Sequence, residues 1–163
     1  MPAFTPYPQT LAIGNAIVSF LTALTYPNSS TQVYTLAQLE AIKDIVDLTA
    51  NGGIVCEVYG DTDESLRRGF GGRVWDTQSW FLLSICALDT PAHASQIYNV
   101  RDALVYPFQQ HAQLNSQVFN LFQSSLKPNM KFFRVQRSGQ WYRAHLAELE
   151  TRQEWALAGG VIS

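Results

Sequence analysis

The chain has 163 residues, which suits one domain, and a formal net charge of −2. No strong electrostatic field therefore points to nucleic acid or to an acidic membrane as a partner. Charged residues make up only 15% of the sequence, against about 25% in an average soluble protein. A protein with so few charges either covers its surface with neutral polar side chains or buries part of it against partner proteins. The second option is a first indication of assembly.

Three features of the sequence indicate where the protein is made. The N-terminus lacks the basic flank of a signal peptide and is interrupted by prolines. No apolar run reaches the roughly 18 residues that cross a bilayer. Cys56 and Cys86 each lie in an apolar, strand-like run, where a free cysteine behaves as a small hydrophobic residue. Two buried thiols without a cysteine-rich framework are typical of a reducing compartment, so we expect synthesis in the cytosol and no membrane contact.

The first third of the chain predicts two helices. Apolar residues recur at helical spacing over residues 9–25, and residues 32–35 then favour a short strand. A second apolar stripe over residues 39–49 predicts another helix. Thr35 is its expected N-cap, and residues 51–52 are its expected left-handed stop.

The middle of the chain predicts two strands separated by a loop. β-branched residues favour a strand at residues 54–59, and a loop rich in glycine and charge follows at residues 60–72. Residues 73–88 alternate as a strand does, but both of its faces are largely apolar in the second half. Such a strand is expected to be central in its sheet, with helices covering one side and a neighbouring subunit covering the other.

The last part of the chain predicts a helix and a hairpin. Residues 90–91 are typical of a helix start, and Pro107 should kink or end that helix. Residues 118–126 fit a short helix slightly better than a strand. Residues 131–136 and 140–149 predict a hairpin around a serine–glycine turn. The side chains expected to face inward from this hairpin are Phe133, Val135, Tyr142, Ala144 and Leu146.

Together these elements predict a single domain over residues 1–163. Residues 1–8 form an extended, proline-rich lead-in, residues 153–157 a last extended piece and residues 158–163 a loose tail. Strands joined by hairpins and by one helical crossover are typical of an α+β fold. We therefore expect an antiparallel or mixed β-sheet with helices packed mainly on one side.

No pattern typical of a catalytic or metal site emerges from the sequence. The histidines His93, His111 and His145 are far apart, and none has another histidine or a cysteine within one helical turn. Acidic residues at 61–64 resemble the start of a calcium loop, but the later ligands of such a loop are missing. No nucleophile elbow or phosphate-binding glycine loop is present. We therefore predict no metal, no cofactor and no enzymatic activity.

One candidate surface is the glycine-rich segment around residues 67–73. Arginine and aromatic residues are enriched where proteins meet proteins, and this segment is rich in arginine and flanked by a long apolar strand. An ordinary mobile hairpin loop is an equally good interpretation. The residues predicted to contact a subunit or partner are Arg67, Arg68, Phe70, Arg73 and Trp75.

A second candidate surface is basic. Residues 103–147 contain no Asp or Glu, and four cations lie near the predicted hairpin. They are either an ordinary solvated strand face or a surface for an acidic partner or for phosphates. In a different class of function, the hairpin would make the protein a small-ligand or nucleic-acid binding module that reads no particular sequence. These cations are Lys131, Arg134, Arg137 and Arg143.

The order and character of the elements resemble a known family. A short apolar N-terminal helix leads to a strand at residues 54–59, a loop with arginines and a long strand that contains residues 79–85. A helix that contains residues 100–104 and a closing hairpin that ends in an aromatic strand at residues 153–155 follow. This order, over residues 10–155, resembles that of the tail-terminator (tail-completion) proteins of long-tailed bacteriophages and related tail-like particles.

The resemblance implies a small α+β subunit that forms a ring, expected to be a hexamer. Such a ring caps the finished tail tube and joins the tail to the head, so the expected partners are the tail tube protein and the head–tail connector proteins. It also implies a structural protein of the virion tail or neck, made in the host cytoplasm, and not an enzyme. Two longer stretches, residues 28–51 and 107–126, leave a head-closure or other neck protein as an alternative.

Overall fold

A computed structural model describes residues 10–50, 52–68, 73–88, 94–110, 122–126 and 130–156. Within these ranges the chain forms three helices and six strands. The elements, in chain order, are α1 (Thr10–Thr22), β1 (Leu36–Leu39), α2 (Ile45–Thr49), β2 (Val55–Arg68), β3 (Arg73–Leu88), α3 (Ala94–Gln110), β4 (Phe122–Leu126), β5 (Lys131–Arg137) and β6 (Gln140–Ala156).

The six strands form one mixed sheet, which confirms the predicted α+β class. Its order is β1-β2-β3-β6-β4, and β5 also pairs with β6. Only β1 and β2 run parallel; the other pairs are antiparallel. One edge of β6 pairs with β3, and the other edge is shared, because residues 140–146 pair with β5 and residues 149–153 pair with β4. The strand β6 therefore pairs directly with β3, β4 and β5, and not with β1 or β2.

The main core lies between the first face of the sheet and the helices α1 and α3. Apolar side chains at helical spacing on both helices pack on alternate residues of β2, β3 and β6, as the periods of 3.6 and 2 require. Burial of this apolar area is the main favourable term in folding. The fully or nearly buried members on the sheet are Cys56, Val58, Trp80, Leu82, Cys86, Ala147 and Leu149.

A smaller core covers part of the second face of the sheet. Ile42 and Ile45, on the segment that follows β1, pack against Leu83, Ile85 and other residues of that face. The strand β3 is thus covered on both faces, as its sequence predicted. The chain itself, however, covers part of the face that the sequence analysis assigned to a neighbouring subunit.

The predicted loop at residues 60–72 is wrong for residues 60–68. The strand β2 continues to Arg68 and stays paired with β3, apart from a bulge between Gly60 and Glu64. Glycine and charged residues favour a loop, and they suggested one here. Backbone pairing with β3 on both sides of the bulge holds this segment in a strand, so tertiary pairing overrides the local preference. Residues 69–72 lie outside the described residues.

The second predicted helix is also mostly wrong. Residues 36–39 form a parallel strand beside β2 rather than the first turns of a helix, and only Ile45–Thr49 is helical. Glu40 has a φ of 65°, which a right-handed helix does not accept. Residues 32–35 do not form the predicted strand, although Gln32 makes an isolated bridge to Thr25. The expected left-handed stop is found at Gly52, whose φ is 79°.

One expectation about the second half fails and another is narrowed. Pro107 was expected to kink or end its helix, and it does not end it, because α3 continues to Gln110. Residues 122–126 form the strand β4 instead of a helix, because β6 offers a free edge at residues 149–153. By contrast, β3 has the predicted bounds, and the hairpin forms around Ser138 and Gly139, whose φ values of 50° and 77° are those of a type I′ turn.

Candidate assembly surfaces

Three strands pair with one another in an arm at one end of the sheet. We define the arm as residues 65–68 of β2, 73–77 of β3 and 152–156 of β6, which are paired in register. At a rise of roughly 3.3 Å per residue, the part in β3 adds about 13 Å to the sheet. The arm therefore extends the paired backbone of three strands at one end of the sheet.

Four residues of the first predicted surface belong to this arm. Arg67 pairs with Trp75, and Arg68 pairs with Val74. Arg73 pairs with Ala156, the last described residue of β6. Phe70 lies outside the described residues. The structure thus brings four of the five predicted contact residues to one end of the sheet.

The four cations of the second predicted surface do not share one face. Directly opposed residues in an antiparallel pair lie on the same face, and here Phe132 opposes His145 on the first face while Phe133 opposes Ala144 on the second. Alternation then places Arg134 and Arg143, which oppose each other, on the first face. Lys131 and Arg137 lie on the second face. The basic hairpin is therefore two smaller basic surfaces, one on each face.

Exposed aromatic side chains gather at the same hairpin. Tyr98 on α3 and Trp141 on β6 are each 53% exposed, and Phe132 and Phe133 on β5 are 44% and 40% exposed. Large apolar side chains in such a group mark a contact site for protein partners. Tyr98, Phe132 and Trp141 lie on the first face, and we call them the aromatic hairpin surface, whereas Phe133 is exposed on the second face.

Phe133 was expected to face inward with four other hairpin residues. It does lie on the same face as Tyr142 and Ala144, which are buried, and Val135, which is partly buried. Its own ring stays largely exposed because the described helix on that face, α2, packs on β2 and β3 instead. The periodicity of the hairpin was thus predicted correctly, while the cover over its outer strand was not.

His145 lies beneath the aromatic hairpin surface. Its ring is fully buried, 5.0 Å from the ring of Phe132, which in turn lies 4.8 Å from the ring of Tyr98. Among the described residues neither ring nitrogen has a hydrogen-bond partner. Burial, and secondarily the positive charge of Arg101, lower the pKa of His145 to about 4. The imidazole is therefore neutral at physiological pH and acts as part of the packing. The other two histidines, at positions 93 and 111, lie outside the described residues.

Glu57 is a fully buried carboxylate that the sequence analysis did not single out. Its oxygens accept hydrogen bonds from the backbone N–H of Ile42, from the Tyr59 hydroxyl and from the guanidinium of Arg137. These three donors come from different parts of the chain. Burial and the neighbouring Glu57 raise the pKa of Tyr59 to about 12. A lone acidic residue inside an apolar, β-branched run was the signal that could have identified it.

A second buried polar group lies on the first face. The Tyr34 hydroxyl and the Ser84 hydroxyl are 2.7 Å apart and fully buried, next to the thiol of Cys56. Burial raises the pKa of Cys56 to about 12, so this thiol stays protonated and unreactive. Burial also raises the pKa of Tyr34 well above its ordinary value. This group stabilises the core and is closed to solvent.

A surface cleft of about 290 Å³ lies where the ends of α1 and α3 meet. Phe20, Tyr26, Tyr106 and Pro107 contribute to its walls, and none of the described residues that line it is charged. Over the described ranges, no three His, Cys, Asp or Glu side chains are grouped as a metal site would require. The cleft has the size of a small-molecule pocket, but its described lining holds no pair of side chains placed for acid–base or nucleophilic chemistry.

Comparison with known proteins finds no protein family whose model matches this chain, and no curated protein that matches it. Within the part of the chain that the structure describes, no helix has the length and apolar character needed to cross a membrane. The candidate surfaces in the described part of the chain are the arm at one end of the sheet and the aromatic hairpin surface at the other.

Proposed function

We propose that this protein is a structural assembly subunit of a tailed phage particle. In this proposal copies of the chain form a ring, expected to be a hexamer, that caps the tail tube and joins the tail to the head. The family resemblance over residues 10–155 supplies the specific role. The observation that carries the assembly part is the group of exposed aromatic side chains, Tyr98, Phe132 and Trp141, at one end of the sheet.

The two surfaces suit a closed ring for a simple geometric reason. Each subunit of a ring contacts the next copy through one surface and the previous copy through a different one. The arm includes residues 152–156 of β6, whereas the aromatic hairpin surface lies beside residues 140–146 of the same strand. Exposed aromatic side chains supply the apolar area that protein interfaces need.

The proposal is tested by the assembly state of the purified chain and by its binding to tail tubes. Light scattering gives the mass in solution, and electron microscopy shows whether rings form, alone or at the ends of purified tubes of the cognate tail tube protein. We expect closed rings of uniform mass that sit at one end of each tube. A chain that stays monomeric at every concentration and never binds tube ends contradicts the proposal.

The same experiment separates the alternative role in the neck. A head-closure or other neck protein is expected to bind the connector of DNA-filled heads and to leave purified tail tubes unbound. Incubation with heads and tubes in separate samples, followed by sedimentation, distinguishes the two. Binding to tubes alone, or to tubes before heads, supports the tail-terminator role.

A further inference from the structure

The cleft of about 290 Å³ at the ends of α1 and α3 has aromatic walls. Tyr106, near the end of α3, lines it with a side chain that is 51% exposed. Tyr26, on the turn after α1, is partly buried, and Phe20 of α1 is buried. A ligand in the cleft can therefore reach the rings of both tyrosines. We call the cleft lined by Phe20, Tyr26, Tyr106 and Pro107 the tyrosine cleft.

The walls of the tyrosine cleft are held in place by the fold itself. The backbone N–H of Tyr26 donates to the carbonyl of Thr31 at 3.0 Å, and the N–H of Ser29 donates to the carbonyl of Tyr26 at 3.1 Å. The ring of Phe20 packs on the ring of Phe108 with 4.9 Å between their centroids, which ties α1 to α3. A cleft that is formed before its ligand arrives loses less conformational entropy on binding.

The electrostatics of the tyrosine cleft come from helix ends rather than from side chains of its own segments. Residues 1–39 and 103–126 contain no Asp, Glu, Lys or Arg. Both α1 and α3 end at this cleft, and neither has a basic residue in its last turn. The carbonyl of Thr22, at the end of α1, accepts a hydrogen bond from the neutral side-chain amide of Gln32. Carbonyl groups at the C-terminal end of a helix carry partial negative charge, so these two ends favour a positively charged ligand.

We propose that the tyrosine cleft binds an organic cation, whose alkylammonium or guanidinium group lies against the rings of Tyr26 and Tyr106. The face of an aromatic ring attracts such cations, and the attraction grows where water is partly excluded. Burial raises the pKa of Tyr26, which indicates partial exclusion of water and keeps the ring neutral at physiological pH. The volume of about 290 Å³ suits a group of this size and is small for a nucleotide or a flavin.

The same features select against other ligand classes. Phosphates and carboxylates are disfavoured by the negative ends of the two helices, and a neutral ligand gains nothing from them. The favoured chemistry is offered both by a small free amine and by a lysine or arginine side chain of a partner protein. This inference is independent of the proposed function, because it requires neither ring formation nor a tail tube.

Calorimetric titration with matched probes tests the proposal. Choline is the cationic probe, and its isostere in which a carbon atom replaces the nitrogen is the neutral probe of the same shape. Choline should bind saturably and at least about fivefold more tightly than the isostere. Two blocked tripeptides, with arginine or with glutamine between two glycines, form the second arm, and the arginine peptide should bind more tightly than the glutamine peptide. Tighter binding of the arginine peptide than of choline identifies the source as a protein side chain, and the reverse identifies it as a free amine.

Variants locate the binding at the tyrosine cleft. Tyr106→Leu removes an aromatic face and should weaken choline binding about fivefold, whereas Tyr106→Phe keeps the face and should bind within about twofold of the wild type. Phe133→Leu is the matched control, because Phe133 is also an exposed aromatic residue, at 40%, and does not line the cleft. Circular dichroism verifies the fold of each variant.

Three results would overturn the proposal. They are equal affinities for choline and its isostere, no binding of any cationic probe, and equal losses of choline binding in Tyr106→Leu and Phe133→Leu. A chain that forms rings or binds tube ends, yet binds none of the cations, overturns this inference and leaves the proposed function standing. Cation binding by a chain that never assembles does the opposite.

Discussion

The carboxylate of Glu57 on β2 lies 3.1 Å from the guanidinium of Arg137 at the end of β5, although β3 and β6 separate these strands in the sheet. The register of β3 against β6 shifts between Ile85 and Leu88, and such a bulge bends the strands beside it. The tip of the hairpin thereby reaches across the second face to the buried carboxylate.

Removing the cation should destabilise the protein more than removing the pair. Arg137→Met leaves Glu57 charged and buried, which we expect to cost about 2–4 kcal/mol, at or below the range for fully buried pairs because Arg137 is itself partly exposed. The double variant Arg137→Met with Glu57→Gln should recover part of that loss, since the amide keeps hydrogen-bonding capacity without a charge. Urea unfolding of the wild type, both single variants and the double variant measures these differences. Equal stabilities throughout would show that the pair is solvated.

The stability of the protein should fall as the pH falls from about 6.5 towards about 4. In the unfolded chain the pKa of His145 has its ordinary value of 6.5, whereas burial and Arg101 lower it to about 4 in the folded chain. The unfolded state therefore binds more protons in this window, and His145 contributes a loss of roughly 3 kcal/mol across it.

The variant His145→Leu separates this effect from the titration of carboxylates. Leucine cannot bind a proton and leaves no polar atom without a partner, so the variant should lose less stability than the wild type between pH 7.5 and pH 4.5. Urea unfolding at both pH values measures the difference. The same pH dependence in both proteins would mean that His145 is not buried as the structure describes.

Neither thiol should react while the protein is folded. Cys56 and Cys86 are fully buried, and burial raises the pKa of Cys56 to about 12. A thiol-reactive dye at pH 8 should label neither residue in native conditions and both in guanidinium chloride, because only the thiolate of an accessible cysteine reacts. Rapid labelling of a chain whose circular dichroism remains native would contradict this burial.

A methyl group at Gly53 should be costly. The Cβ of Gly53→Ala would overlap the carbonyl oxygen of Leu48 and lie 2.6 Å from the Thr35 hydroxyl, so backbone must move. We expect a loss of about 1–3 kcal/mol, typical of overpacking. Gly60→Ala is the matched control, because its Cβ meets only the Trp80 ring, at an ordinary 3.4 Å. Thermal unfolding of both variants compares them, and equal melting temperatures would contradict the close approach at Gly53.

Several elements were predicted correctly because their signal is local and strong. The strand β3 was recognised from 16 residues of alternation and apolar character, and the turn at Ser138–Gly139 from its two residues. The first helix was recognised from one apolar stripe, although it ends three residues earlier than expected, at Thr22. In each case the local preference agrees with the burial that the fold requires.

Other elements depended on partners that are distant in the sequence. The strand β1 forms by pairing with β2, and β4 forms by pairing with β6. The outer half of β2 forms by pairing with β3. Their own residues favour a helix or a loop, and the hydrogen bonds and burial gained in the sheet override that preference. The same reason explains why Glu57 was missed, since its three donors come together only in the folded chain.

The sequence by itself determined the α+β class, the central strand apolar on both faces, the turn of the hairpin and the set of arginines that gather around the arm. Only the tertiary structure decided that the cations of the hairpin lie on two faces rather than one, that the first residues of β5 are exposed on both faces, and that Glu57 meets three donors distant in the chain. Periodicity along a chain reports which face a residue occupies within its own element. Which neighbour covers that face, and which edge stays open, depends on contacts between residues far apart in the chain.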